Sequence, residues 1–510
     1  MKNLAITMLA SCLVVTAATI PVRAEMATAD EAFTVAANWI SLIMEKKDSW
    51  GGSDTPEVTS IHEFKRGERV IGYFCDVEPR GFIIVSLRKE LAPIKAYSAR
   101  SDLDPESEEG LADLIKGKME RMLDTIERQV TSIRPAGAEE TGKILRVNYR
   151  DAWRELEVDV ESFKRNLESG VIKTTSKSGE YAEADAETLD YQEGQVILTT
   201  DWHQTDPFNR QCPVPPPGSS CSADHCTVGC VATAGVQIMR HWRWPPYGDG
   251  GSPYTDDYDW PNMPNTLTSG SSPAQIDAVA ELCHEVGIAV NMFYCSSGCA
   301  SSANTAYMEH VYEDHYRYSL DCQKHDRSDY TDVAWFERMK TQFNANRPVQ
   351  YKIPGHSIAG DGWQEIYIGG VLTRQYHMNY GWYGTGADAW YTLDDLLGGD
   401  PSNEYMLEDI YPAPALGASL SGTYSRDTSL PYRYFDRDTT GNSATFESGQ
   451  NLQFLRRVTV TCTSSTGGSI RFYGSSSLNT RLFSNGDETR GVRIHDGAVK
   501  LSQNGSIKFE

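Results

Sequence analysis

Between Asp30 and Lys47, apolar residues recur at Phe33, Ala36, Ala37, Trp39, Ile40, Leu42, Ile43 and Met44, a helical period that follows an aspartate able to cap it. Three runs come next, Glu57–Phe64, Glu68–Val77 and Gly81–Ser86, alternating or continuously apolar and rich in β-branched and aromatic residues, which predicts strands of a small sheet. Glu108–Val130 returns to a helical pattern, so residues 25–135 form an α+β unit. From Lys173 to Glu193 the chain is polar, acidic and poor in large side chains, marking a linker region over 136–194. A Cys/Trp/Tyr-rich block fills 195–412. Past Pro412-Ala413-Pro414, short runs such as Leu452–Cys462 and Ser469–Tyr473 alternate with Ser/Gly/Asn turns, predicting a separate all-β module over 415–510.

A length of 510 residues fits this division, since one hydrophobic core stops growing at roughly 250–300 residues. A net charge of −23 repels phosphate backbones and anionic lipid, which argues against nucleic acid or a membrane surface as partner. Residues 1–24 have one early lysine, an apolar run from Leu4 to Ile20 and Val22-Arg23-Ala24 as a small-residue cleavage site, the pattern of an export signal. Leu9-Ala10-Ser11-Cys12 has the form of a lipoprotein cleavage box, but the apolar run continues past Cys12, which favours ordinary cleavage and a secreted, cell-surface or periplasmic protein. No later run approaches the ~18 apolar residues of a membrane span.

Export changes how the cysteines are read. Of eleven, eight fall between Cys212 and Cys322, a clustering that points to disulfides. Cys212 and Cys221 lie in a proline-rich loop, Cys295 and Cys299 in a Ser/Gly loop, where bridges would stiffen the connections; the connectivity stays open. The stretch CTVGCVATAGVQIMRHWRWP, residues 226–245, invites a different chemistry at Cys230. Gly229 permits a tight turn, and Val231–Trp242 predicts a helix whose free N–H groups and dipole favour a thiolate at its start. The CxxxC spacing is that of neither a thiol oxidoreductase nor a common zinc loop, and neither metal nor cofactor is expected. A thiolate nucleophile needs an imidazole and a group to orient it. His356 lies 126 residues after Cys230 and Asn379 lies 149 after it, near the distances of papain-like enzymes.

Longer motifs carry a resemblance. GCVATAGVQIMRHWRWP is similar to the nucleophile motif GCVATAxAQIMxYWxxP of the streptopain family of secreted bacterial cysteine peptidases. Thr200–Asn209 resembles that family's WxQxxPYN lead-in, and Tyr258–Met263 its YDWxNM segment, which displaces a calcium-loop reading of Asp256, Asp257 and Asp259. Gly355-His356 with Asp361-Gly362 keeps the GHxxxxDG frame, and Asn379-Tyr380-Gly381-Trp382 matches NWGW with Tyr for the first Trp. The N-terminal unit, with GFIIVS and a following YS, is similar to the family's inhibitory propeptide. Two departures stand out. Ser357-Ile358-Ala359-Gly360 is smaller and more flexible than the family's apolar strand after the histidine, and Cys299 occupies a position where serine is common, with Cys295 or Cys322 as conceivable partners.

The resemblance implies a papain-like α+β catalytic domain behind an inhibitory propeptide, hydrolysing peptide bonds of protein or peptide substrates, with its own propeptide as intramolecular inhibitor. It implies Cys230 as nucleophile, His356 as base and later acid, Asn379 as the orienter of the imidazole, and Trp382 shielding that contact. The oxyanion would take the Cys230 N–H and a side-chain donor, Gln204. Two readings compete: another acyl-transfer enzyme with the same three groups, and a silent binding protein on the same scaffold.

Overall fold

The computed structural model describes residues 25–108, 110–132, 149–169, 190–245, 248, 258–382, 388–392 and 401–412, together with strands between 419 and 509. The export signal with Cys12, residues Asp256 and Asp257, and residues 136–148 and 170–189 of the linker region lie outside the described residues.

Helix α1 spans Ala29–Lys47, and its cap is Thr28 rather than Asp30. The Thr28 hydroxyl accepts the Glu31 N–H while the Glu31 carboxylate accepts the Thr28 N–H, a reciprocal pair that leaves Asp30 free to face the helix dipole. The apolar face, including Ala32, Val35, Trp39 and Ile43, packs on an antiparallel meander of β1 (Glu57–Arg66), β2 (Arg69–Glu78), β3 (Phe82–Ser86) and β4 (Ile94–Ser98). Strand β4 has no sequence signature: IKAYS is short and carries a lysine, yet all five residues are buried. The opposite face of the meander presents Phe64, Phe74, Phe82 and Ile84 to α2 (Gly110–Ser132), through Leu111, Ile115, Met119 and Leu123. Within 136–194, α3 (Arg150–Leu156) and α4 (Val160–Glu168) fold back on α1, where buried Asn38 donates to the Leu156 and Val158 carbonyls at 2.9 and 2.6 Å. Strand β5 (Asp190–Glu193) follows.

The central block holds α5 (Cys230–Trp242) and α6 (Pro273–Ala289), then the hairpin β6 (Phe293–Ser297) and β7 (Ala300–Ser302), and α7 (Met308–His310) running into a π-helical turn, Val311–His315. Next come β8 (Gln323–Asp326), α8 (Asp332–Asn344), β9 (Val349–Ile353), β10 (His356–Ile368), β11 (Val371–Asn379), β12 (Asp388–Tyr391) and β13 (Tyr405–Glu408). The sheet order is β1-β2-β3-β4-β12-β11-β10-β9-β13-β8, with β5 also paired to β10, so the N-terminal meander and the central strands form one 11-stranded sheet. The joint is narrow: Trp390 pairs with Tyr97 and Tyr391 with Ala96, and Thr392 N–H donates to Lys95 O at 3.0 Å.

The flexibility expected after His356 is not what the chain adopts. Residues 357–360 are buried strand, and their small size is what lets neighbours close in: a Cβ on Gly360 would lie 2.9 Å from Val349 and 3.1 Å from the Met378 sulfur. The architecture is α+β, as expected. Beyond residue 418 the described residues form only strands, Ser419–Tyr424 through Ser506–Phe509, in keeping with an all-β module. No helix among the described residues is long and apolar enough to cross a membrane.

Candidate active site

The chain reaches the site along β10. Gly194 N–H donates to Trp363 O and Ile197 N–H to Asp361 O, both at 2.9 Å, and Leu198 N–H donates to the Asp361 carboxylate at 3.1 Å. The other oxygen of that carboxylate lies 2.6 Å from His377 Nδ1, so Asp361 in the GHxxxxDG frame anchors the lead-in segment to the sheet. Gln204 then meets the approach to the nucleophile: its carbonyl accepts the Val228 N–H at 2.9 Å, while its half-buried side chain makes no hydrogen bond among the described residues.

Gly229 has φ +88°, and a Cβ there would lie 2.7 Å from the Met292 sulfur, so both backbone and packing require glycine. Cys230 is the first residue of α5. Backbone N–H groups of Ser357, Val231 and Cys230 itself face the sulfur, yet burial outweighs them and pushes the thiol pKa up. The lowered pKa expected at a helix start is therefore not realised here, because desolvation disfavours the thiolate more than the helix favours it.

His356 begins β10, buried, one residue from the Ser357 N–H that faces the thiol. One of its ring nitrogens is engaged by Tyr380 and Trp382. Nε2 lies 2.9 Å from Tyr380 O and 2.8 Å from Trp382 Nε1, and the Trp382 indole stands edge-on to the imidazole at 4.7 Å. One nitrogen cannot serve both partners at once: bare, it accepts from the indole; protonated, it donates to the carbonyl. Desolvation lowers the His356 pKa to about 4, against the pull of Tyr380 O. Among the described residues no hydrogen bond joins His356 to Cys230.

Asn379 ends β11 with its amide committed: Oδ1 accepts from Gln237 Nε2 at 3.1 Å and from Gly381 N–H at 3.0 Å, and Nδ2 donates to Thr200 O at 2.8 Å. The fold thus gathers Cys230, His356 and Trp382 and places Asn379 behind them, off the imidazole. Trp382 in turn touches the N-terminal unit, for a Cβ on Gly110, where α2 begins, would lie 2.6 Å from its ring. Sequence reading missed Tyr380 and Gln237. Gln237, two helical turns after Cys230 on the same face, carried a readable signal; the Tyr380 carbonyl, a main-chain group, carried none.

Two disulfides brace the wall beside Cys230, Cys221–Cys299 and Cys226–Cys295. Cys299 therefore pairs with neither Cys295 nor Cys322, and Cys212, expected among bridged residues, is a free buried thiol. The bridges run between the two loops rather than within them, because the β6–β7 hairpin lies along Thr227: Thr227 N–H donates to Cys299 O at 2.9 Å and Ser301 Oγ to Thr227 O at 2.7 Å.

Residues 202–391 match the peptidase C10 family and residues 24–122 the Spi protease inhibitor family. The chain carries a peptidase C10 domain behind a Spi-type inhibitor domain. The C10 domain makes it a cysteine-type peptidase, in the family that the sequence motifs resemble. It is 24% identical to streptopain of Streptococcus pyogenes serotype M28 over 388 residues, 70% of this chain and 83% of that one. It is 28% identical to the thiol protease/hemagglutinin PrtT of Porphyromonas gingivalis over 281 residues, 46% of this chain but only 32% of that relative. Among solved structures it is similar to a prointerpain A fragment of Prevotella intermedia, with 19% identity and a TM-score of 0.48 over 70% of this chain and 99% of that one.

The two bridges close long loops, so replacing Cys226 and Cys295 together by serine is expected to cost about 2–4 kcal/mol of stability. Iodoacetamide should still label Cys230 in that variant. Denaturant unfolding reads the first effect and peptide mass mapping the second; an unchanged unfolding midpoint would show that the Cys226–Cys295 bridge does not brace the wall.

Proposed function

We propose that the chain is a secreted cysteine endopeptidase made as a zymogen, with an export signal over 1–24, an inhibitory propeptide over 25–135, a linker and maturation region over 136–194, the peptidase over 195–412 and a targeting or binding module over 415–510. The observation that supports it best is the contact at Trp382: its indole bonds His356 Nε2, and the start of α2, in the preceding unit, is seated on its ring. A tryptophan that bonds the imidazole and also carries the start of α2 ties the site to the unit that precedes it, as an inhibitory propeptide requires.

On removal of that unit, His356 takes the proton of Cys230. The thiolate attacks the substrate carbonyl carbon, and the oxyanion is held by the Cys230 N–H and the unengaged Gln204 amide. Imidazolium then protonates the leaving amine, and water, deprotonated by His356, hydrolyses the thioester. Asn379 orients the imidazole indirectly, by holding Gly381 N–H in the turn between Tyr380 O and Trp382, and Trp382 keeps water from the site.

Self-processing tests this reading. Incubated with a thiol reductant, the full chain should lose its N-terminal unit by a cut within 136–194, seen by intact mass, whereas Cys230→Ala should stay whole and Cys226→Ser should still process. Equal cutting of Cys230→Ala, in preparations free of other peptidases, sinks the assignment.

The buried imidazole also sets a pH dependence. With the folded pKa lowered to about 4 from 6.5, the unfolded chain takes up the proton first as pH falls, so stability declines between pH 6.5 and 4 and is unaffected above. Between pH 7 and 5 the loss attributable to His356 should be on the order of 2 kcal/mol, measured as the difference in acid sensitivity between Cys230→Ala and Cys230→Ala/His356→Gln chains. Parallel curves for the two would place His356 outside such a pocket.

The 415–510 module contributes none of the site residues. Deleting it should leave small-peptide cleavage within about tenfold of the full chain; a larger loss in a folded truncation would make the module part of the active site.

A further inference from the structure

Strand β9 carries a glutamine that belongs to none of the motifs above. Gln350 is fully buried, and its amide is completely engaged. Nε2 donates to the Val231 carbonyl at 2.9 Å and to Ser357 Oγ at 3.1 Å, while Oε1 accepts the Tyr312 hydroxyl at 2.8 Å. Val231 follows Cys230 and Ser357 follows His356. We propose that Gln350, held by Tyr312, is a positioning residue that sets the nucleophile helix against the base strand by bonding the residue after each.

The surroundings are shaped for this contact. Tyr312 comes from the π-helical turn, an irregularity that aims its hydroxyl at the amide. On α5, Gly235 stands where Tyr312 and Gln350 approach: a Cβ there would lie 3.5 Å from the Tyr312 hydroxyl, 3.8 Å from Gln350 Oε1 and 2.6 Å from Met308. A glycine inside a helix costs roughly 0.5–1 kcal/mol relative to alanine, so the close approach is favoured over helix strength. Strand pairing would not by itself locate α5. Gln350 opposes Ala359 and Leu407 in the sheet, contacts that fix β9 but reach neither Cys230 nor its helix. The side chain adds what strand pairing does not give, a bond from β9 to the main chain of the first turn of α5, and a second to the residue whose N–H faces the sulfur.

The assignment rests on Cys230 and His356 acting together, and its test separates the two ideas. Gln350→Met keeps the volume and removes both donors; Ser357→Ala removes one arm. In the full chain, the rate of iodoacetamide labelling at Cys230 is followed across pH by peptide mass, before and after processing, beside peptide-cleavage kcat, KM and Tm. Gln350→Met should lower kcat at least about tenfold with KM within about threefold, and displace the labelling profile along the pH axis; Ser357→Ala should do the same to a smaller degree. A merely structural glutamine would lower Tm and leave the kcat and labelling profile at wild-type values, which overturns the proposal. Should Gln350→Met fail to fold, Ser357→Ala decides alone, and wild-type kcat and labelling there overturn it equally. A wild-type chain that never cleaves peptide defeats the peptidase reading instead, and the labelling profiles still judge Gln350.

Discussion

The hydrogen-bond ladder of β10 is the constraint on which the rest of the structure depends. It pairs with β9, β11 and β5, begins with His356, and receives the lead-in segment through both the backbone and the carboxylate of Asp361. Each partner brings part of the site: β11 ends in Asn379, β9 carries Gln350, and the lead-in delivers Gln204 to the loop before Cys230. Only α5 lies off the ladder, and side chains rather than strands tie it down. Gln237 holds it to Asn379 and Gln350 holds the sheet to Val231. Buried amides suit this duty because each leaves a costly unpaired group when its partner moves.

Desolvation acts on the two central groups in opposite senses. It raises the Cys230 thiol and lowers the His356 imidazole, so both are neutral in the uncleaved chain. The helix start, which sequence reasoning credits with favouring a thiolate, supplies too little while the site is covered. Desolvation is the larger influence on the sulfur and outweighs the N–H groups that face it.

Much of the fold was legible because it rests on periodicity. The α1 pattern, the first three strands and the helix after Gly229 all announce themselves, as do Cys230, His356 and Trp382 through their motifs. What stayed hidden depends on contacts distant along the chain. Strand β4 is short and contains Lys95, so its place comes from pairing between β3 and β12 and its burial from the layers packed on the sheet, Trp39 of α1 against Tyr97 among them. The disulfide pairing follows from the hairpin's lying on Thr227, which spacing does not encode. Asn379 was legible as a residue but not in its bonds, since these run to Gln237 and Thr200 instead of the imidazole. The small residues after His356 suggested looseness, whereas the strand uses their size for close packing.

The narrow seam between β4 and β12 has a consequence for solubility. With the N-terminal meander gone, β12 becomes the border of the remaining sheet, and its free N–H and C=O groups lie beside Trp390 and Tyr391. Bare borders of this kind template pairing with other chains. Here the liability is kept small by length, because β12 has four residues, of which Trp390 and Tyr391 pair with β4. A longer seam would hold the meander more firmly, but it would leave a stickier molecule once the meander was gone.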